Sequence, residues 1–147
     1  MQNTHLGKRA AVYGASSGMG RETFLALARA GADVAVLARD LAALTAVAAD
    51  IETLGRHAVP VAVDVQDAKA ARDSVSSIVE ELGGIDILVY ATGWNIPKRA
   101  LEVLSASDWE LMQRTNLWGL FDVTQAALPT LRECDACLVV ISSAAVQ

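Results

Sequence analysis

The sequence predicts an α/β protein in which helices cover both faces of a doubly wound parallel sheet. Five short apolar runs alternate with helical segments along the 147 residues, and strand–helix alternation with right-handed crossovers gives this architecture. Hydrophobic residues make up 53% of the chain and aromatic residues only 5%, which suits a buried parallel sheet with an aliphatic core. The predicted strand order is 3-2-1-4-5, within one domain over residues 1–147.

Most elements have a start or stop signal in the sequence. The strands are predicted at residues 9–13, 33–38, 58–63, 86–90 and 137–141. The helices are predicted at residues 18–30, 41–54, 67–82 and 108–132. Gly31, Gly55 and Gly83 stop the first three helices, and residues 107–110 are interpreted as a capping box that starts the fourth.

The first strand ends in a glycine motif, Gly14-x-x-x-Gly18-x-Gly20, ahead of an amphipathic helix. Gly14 lets the chain turn sharply, Gly18 leaves room for backbone N–H groups to approach a pyrophosphate, and Gly20 lets the helix pack close to the sheet. The spacing differs from the common G-x-G-x-x-G motif, and a turn without a ligand is the alternative. We interpret the segment as the phosphate loop of a Rossmann-type nucleotide site, since the helix N-terminus adds oriented donors.

Ligands of doubly wound sheets bind at the carboxyl ends of the strands. After the second strand, Ala38 stands where NAD enzymes place an acidic residue, and Arg39 can hold a 2′-phosphate through two hydrogen bonds. NADP is therefore favoured, with NAD possible. Asp64 either accepts a hydrogen bond from an adenine amino group or caps the next helix. The candidate coenzyme-binding residues are Gly14, Ser16, Ser17, Gly18, Met19, Gly20, Arg39, Asp64, Val65, Ala91, Thr92 and Gly93.

Asn116 and the pair Ser142-Ser143 are the candidates for chemistry. Asn116 lies in a predicted helix among apolar neighbours, where a satisfied core amide is the simplest interpretation. A hydroxyl of Ser142 or Ser143 can donate to a substrate carbonyl oxygen, or the two serines simply end the fifth strand. Cys134 and Cys137 are interpreted as structural, because both histidines lie far from them in the sequence; no metal site is expected.

As an ordered set, these motifs resemble the short-chain dehydrogenases/reductases along essentially the whole chain. The resemblance implies an NAD(P)-dependent oxidoreductase that acts on a carbonyl or alcohol substrate. It also implies that Asn116 supports a proton-relay water and that Ser143 orients and polarises the carbonyl. The matching segments are Gly14-x-x-x-Gly18-x-Gly20, Asp64-Val65, Asp86-Ile87-Leu88-Val89, Asp108-Trp109, Asn116-Leu117-Trp118-Gly119-Leu120-Phe121 and Val139-Val140-Ile141-Ser142-Ser143.

The sequence also departs from this family. The family's general acid, the Tyr of a Tyr-x-x-x-Lys pair that follows the serine, is not among the 147 residues. We therefore expect a fragment that is truncated after the fifth strand and catalytically incomplete; a non-catalytic NADP-binding sensor or interaction module is the alternative. Tyr13 and Tyr90 replace the usual Thr and Asn, and we expect them to brace the strand ends by stacking or hydroxyl contacts.

Charge and composition exclude several other classes. The net charge of −5, without a basic patch, argues against a nucleic-acid partner. No apolar run approaches membrane-spanning length and no signal peptide precedes the first strand, so we expect a cytoplasmic protein that does not bind membranes. A phosphate-loop NTPase would need a Gly-Lys-Ser/Thr sequence, which is missing. An S-adenosylmethionine methyltransferase would need an acidic residue at the end of the second strand, where Ala38 and Arg39 stand. The resemblance implies a homo-oligomer for the full-length protein.

Overall fold

Five parallel strands form a sheet in the order that the sequence predicts. The computed structural model describes residues 4–97 and 100–142. The strands in these ranges are β1 (Arg9–Tyr13), β2 (Asp33–Ala38), β3 (Ala58–Ala62), β4 (Ile87–Tyr90) and β5 (Cys137–Val140). Their spatial order is β3-β2-β1-β4-β5. From β1 the chain adds β2 and β3 on one side of the sheet, and then β4 and β5 on the other side. This change of side opens a crevice at the carboxyl ends of β1 and β4.

The helices in the described ranges are α1 (Gly18–Arg29), α2 (Leu41–Glu52), α3 (Ala68–Leu82), α4 (Ala106–Gln113) and α5 (Gly119–Glu133). The Asp40 carboxylate caps α2 by accepting from the Ala43 N–H at 3.1 Å. Asp67 caps α3 by accepting from the N–H groups of Ala70 and Lys69 at 3.0 and 2.8 Å. These two backbone hydrogen bonds lower the pKa of Asp67, because they favour its ionised form.

The predicted fourth helix differs in its start and in its middle. Ser105, which has an extended backbone, caps α4 by accepting from the Asp108 N–H at 3.0 Å. The capping box predicted at residues 107–110 is therefore wrong, and the helix begins at residue 106. Between α4 and α5, Arg114–Trp118 form a π-helical turn in which the Gly119 N–H donates to the Arg114 carbonyl. Such turns occur frequently at functional sites.

Apolar side chains pack on both faces of the sheet. Phe24 of α1 and Ile51 of α2 are buried on one face. Ile78 of α3 and Val123 of α5 are buried on the other, together with the rings of Tyr13 and Tyr90. This burial is the main force that holds the helices on the sheet. Within residues 4–97 and 100–142, no helix has the length and apolar character needed to cross a membrane.

The two edges of the sheet differ in chemistry. At the β3 edge, the odd-numbered positions 57 and 63 hydrogen-bond to β2, so the alternating backbone turns the nitrogen of Pro60 outward. A proline nitrogen has no hydrogen to donate, and proline in a sheet is found at such outer positions. At the β5 edge, the apolar residues Leu138, Val139 and Val140 are 39–43% exposed.

Candidate functional site

An open crevice of about 890 Å³ lies at the carboxyl ends of β1, β2, β3 and β4. All twelve candidate coenzyme-binding residues lie on its wall. The wall also includes Trp94, Leu111 of α4 and Thr115 of the π-helical turn. The crevice is therefore formed by four strand ends on one side and, on the other, by α4 and the π-helical turn of the helical rod α4–α5.

Two glycines of the loop, Gly14 and Gly20, pack too closely on their neighbours to accept side chains. A Cβ at Gly14, whose φ is +82°, would lie 2.8 Å from the carbonyl carbon of Ala91 and 2.9 Å from the nitrogen of Thr92. A Cβ at Gly20 would collide with the carbonyl group of Gly14. Gly18 has a φ of +56° and nothing within 4 Å of a Cβ built on it. The loop is therefore tightly packed against the turn after β4 and has free space at Gly18.

The N-terminus of α1 suits an anionic group. Ser17 precedes the helix with an extended backbone, and its side chain makes no capping hydrogen bond. The first turn holds no acidic residue. The first N–H groups of a helix and its positive dipole end attract phosphate. With the space around Gly18, this arrangement fits the pyrophosphate of a dinucleotide.

The turns after β2 and β3 place charged groups on the same wall. Arg39 is exposed there, next to Asp40, which is occupied as the α2 cap. The Asp64 carboxylate accepts from the Gln66 N–H at 3.0 Å. Because Asp67 caps α3, the alternative that Asp64 caps this helix is wrong.

Asn116 is exposed in the π-helical turn rather than buried in the core. Its Oδ1 accepts from the Trp94 N–H at 2.8 Å, and its Nδ2 donates to the Trp94 carbonyl at 2.8 Å. The interpretation as a core amide is therefore wrong in its location, although the amide is satisfied at both ends. Asn116 fixes the backbone of a residue on the crevice wall.

Tyr13 and Tyr90 brace the ends of β1 and β4, which confirms the prediction. Their ring centroids lie 5.9 Å apart and the rings are stacked. The Tyr13 hydroxyl shares a 2.7 Å hydrogen bond with Ser74 Oγ, and the Tyr90 hydroxyl donates to the Thr115 carbonyl at 2.9 Å. Burial raises the pKa of both phenols, so both keep their protons at neutral pH.

An ion-pair cluster behind the crevice was not predicted from the sequence. The buried carboxylate of Asp122, on α5, accepts from Arg72 at 2.9 Å and from Arg114 at 3.1 Å. The Arg114 Nε also donates to the Gln66 carbonyl at 2.8 Å. Arg114 therefore connects the π-helical turn to the turn after β3. Asp122 lies 50 residues from Arg72, and Arg114 lies 48 residues from Gln66, so these two contacts leave no local signal in the sequence.

The remaining candidates do not lie on the crevice wall or lie outside the residues that the structure describes. Ser143 lies outside the described residues, and Ser142 is not among those on the crevice wall. Cys134 and Cys137 are free thiols, and Cys134 Sγ accepts from the Arg9 guanidinium at 3.1 Å. In the described part of the chain, no group of three or more His, Cys, Asp or Glu residues is placed to hold a metal ion.

Comparison with known proteins places the chain in a family. The family described as short chain dehydrogenase matches residues 8–147. The chain belongs to this family. A gluconate 5-dehydrogenase from Gluconobacter oxydans is 39% identical over 121 residues, which cover 82% of this chain and 46% of that relative. This short chain dehydrogenase sequence thus spans about half the length of the relative.

Two solved structures of related proteins share the fold. Carveol dehydrogenase from Mycobacterium avium, in complex with NAD, superposes with a TM-score of 0.89 at 29% identity, covering 95% of this chain and 56% of that chain. An alcohol dehydrogenase from Thermococcus sibiricus, complexed with 5-hydroxy-NADP, gives a TM-score of 0.84 at 28% identity, covering 90% and 57%. The described sheet is therefore the Rossmann-type sheet of short chain dehydrogenases.

Proposed function

We propose that this short chain dehydrogenase chain binds NADP(H) in the crevice and serves hydride transfer between the coenzyme and a carbonyl or alcohol substrate. The observation that supports the proposal is the convergence of the glycine loop, the α1 N-terminus and three further strand ends on one crevice. Two relatives were crystallised with NAD and an NADP derivative, which supports a dinucleotide there. When bound, the nicotinamide supplies or accepts the hydride.

The crevice residues have separate roles in this proposal. Backbone N–H groups of residues 18–20 bind the pyrophosphate at the helix N-terminus. Arg39 holds the 2′-phosphate of NADP, because a guanidinium forms charge-assisted hydrogen bonds with phosphate oxygens. Asp64 accepts from the adenine amino group through the carboxylate that also accepts from Gln66. Residues 91–93 form the wall beside the nicotinamide ribose.

Asn116 and Ser143 are the proposed contributors to chemistry. Asn116 supports a relay water at the rim, where Trp94 fixes the orientation of its side chain. Ser143 orients the substrate carbonyl by donating its hydroxyl hydrogen. Tyr13 and Tyr90, the two tyrosines of the sequence, are buried, and their hydroxyls are already engaged by Ser74 and by the Thr115 carbonyl. Neither therefore serves as the proton donor of the reaction.

We further propose that the full-length protein is a cytoplasmic homo-oligomer and takes a small-molecule substrate. The α4–α5 rod supports the oligomer, because Trp109, Trp118 and Phe121 are each half-exposed on it. A non-catalytic NADP-binding module would use the same crevice. The two functions differ in whether the full-length protein transfers hydride to ketones or aldehydes.

The cofactor assignment is tested by titrating NADPH and NADH against wild type and Arg39→Asp, with fluorescence as the signal. Wild type should prefer NADPH, and the variant should lose that preference by about ten- to a hundredfold, since a hydrogen bond to a charged group contributes about 1.5–3 kcal/mol. Arg29→Asp is the control, because it makes the same charge change on an exposed residue in the last turn of α1, away from the proposed pyrophosphate site and outside the crevice wall. A wild-type preference for NADH, or an unchanged ratio in Arg39→Asp, contradicts the assignment.

A further inference from the structure

The π-helical turn leaves one carbonyl without its ordinary helical partner. In an α-helix, the Thr115 carbonyl would accept from the Gly119 N–H four residues later. That N–H instead donates to the Arg114 carbonyl. The Tyr90 hydroxyl donates to the Thr115 carbonyl at 2.9 Å. A side chain from the end of β4 therefore takes the place of a backbone donor within the turn.

The Tyr90 hydroxyl lies in a slot that only a glycine leaves open. A Cβ at Gly119 would lie 2.6 Å from this hydroxyl and 2.9 Å from Val65 Cβ. The ring of Tyr90 is buried and stacked on Tyr13, so the phenol has little freedom to point elsewhere. Its hydrogen bond is consequently a fixed connection between the sheet and the helical rod.

The turn transmits this connection to the crevice. Asn116 follows Thr115 directly, and its amide holds both backbone polar groups of Trp94 at 2.8 Å. Trp94 lies on the crevice wall and is 40% exposed. Along the chain, residues 91–93 join the end of β4 to Trp94. Through hydrogen bonds, the π-helical turn joins Tyr90 to Trp94 as well. The position of Trp94 therefore depends on where the turn holds Asn116.

We propose that Tyr90 is a positioning residue: its hydroxyl holds the π-helical turn, and the turn holds Asn116 against the backbone of Trp94. This contact holds Trp94 in place on the part of the crevice wall that a substrate meets. That a substrate meets this wall rests on the proposed function. The connection from Tyr90 to Trp94 rests on contacts within the chain.

The test is residue-resolved amide hydrogen exchange on the 147-residue chain without coenzyme, comparing wild type with Tyr90→Phe. The exchange rate of the Trp94 amide is divided by the mean rate of the β1 amides, which corrects for global stability. The ratio should rise about three- to tenfold in Tyr90→Phe, the range expected for loss of one ordinary hydrogen bond. Asn116→Ala, which removes the acceptor itself, should raise it at least as much.

Tyr13→Phe is the matched control, because it removes an equally buried hydroxyl from the same ring stack. Its partner is Ser74 on α3 rather than the helical rod, so the Trp94 ratio should stay at the wild-type value. An unchanged ratio in Tyr90→Phe, or an equal rise in Tyr13→Phe, overturns the proposal. If Tyr90→Phe does not fold, Gly119→Ala provides the second variant, since it displaces the hydroxyl while keeping the ring, and it should raise the ratio likewise.

A parallel titration with NADPH separates this inference from the proposed function. If wild type does not bind NADPH, the proposed coenzyme site is wrong, and the result of the exchange experiment still holds. Normal NADPH binding with no change at the Trp94 amide in Tyr90→Phe would contradict the positioning role alone.

Discussion

Replacing Asp86 by Asn should destabilise the fold without touching the crevice. The Asp86 carboxylate, at the amino end of β4, accepts from the Arg9 Nε at 2.7 Å and from the Arg9 N–H at 2.9 Å. Its side chain is 10% exposed and that of Arg9 is 26% exposed. A hydrogen bond to a charged group contributes about 1.5–3 kcal/mol, and the partial exposure of Arg9 reduces this to about 1–2 kcal/mol.

This loss converts to a measurable change in melting temperature. Unfolding entropy is about 2.1 cal/mol/K per residue, so a chain of 147 residues should lose about 3–6 °C in Asp86→Asn. Asp50→Asn is the control, because the Asp50 carboxylate is 53% exposed in its pair with Arg21, and exposed pairs contribute at most about 1 kcal/mol. Urea unfolding followed by tryptophan fluorescence, at low protein concentration, gives the free energies.

The pH dependence identifies the charge as the cause. The side-chain hydrogen bond from Arg9 lowers the pKa of Asp86. The contribution of Asp86 to stability is therefore fully present above the pKa of an unfolded Asp, about 3.9, and is lost as the pH falls through the lower native pKa. The stability difference between wild type and Asp86→Asn should therefore shrink below about pH 4. A difference that is absent at neutral pH, or that stays constant on acidification, would refute the reasoning.

Three further predictions follow from the crevice, the sheet edge and the tyrosines. Gly20→Ala should cost about 1–3 kcal/mol and weaken NADPH binding, because its Cβ would meet the Gly14 carbonyl; urea unfolding and coenzyme titration measure both, and unchanged affinity would contradict it. The 147-residue polypeptide should self-associate through the edge of β5, and Val139→Lys should lower the mean particle size in light scattering. A monodisperse wild-type monomer would contradict association through that edge. The same polypeptide should not oxidise NADPH with ketones or aldehydes, since Tyr13 and Tyr90 are buried and loss of a general acid costs about two to four orders of magnitude; measurable turnover would contradict this.

The sheet and most element bounds were predictable because their signals are local. β1 and β2 have the predicted bounds, since Gly14 ends the first strand and Gly31 precedes the second. β3 and β5 end one residue earlier than predicted, and β4 begins one residue later. A strand end depends on which backbone groups its neighbour can bond, so apolar runs alone leave it uncertain by a residue. The position of the candidate coenzyme-binding residues on the crevice wall was predictable for the same reason, because each segment follows an apolar strand.

The rim of the crevice was less predictable, because distant residues determine it. The π-helical turn at residues 114–118 depends on the hydroxyl of Tyr90 and on the absence of a Cβ at Gly119. The hydrogen bonds between Asn116 and Trp94 join segments 22 residues apart. A helix-periodic sequence shows neither contact. The choice of Ser105 over Ser107 as the α4 cap likewise depends on which serine has the extended backbone.

The unequal edges give the sheet a direction of growth. An added strand beside β3 would meet a missing donor at Pro60, whereas a strand beside β5 would meet apolar side chains and a backbone that, in the described residues, pairs only with β4. The sheet is thus a one-ended template. A synthetic β-peptide that matches the register of β5 should bind the polypeptide, while one designed for β3 should not. Fluorescent or affinity tags are accordingly best attached beside β3.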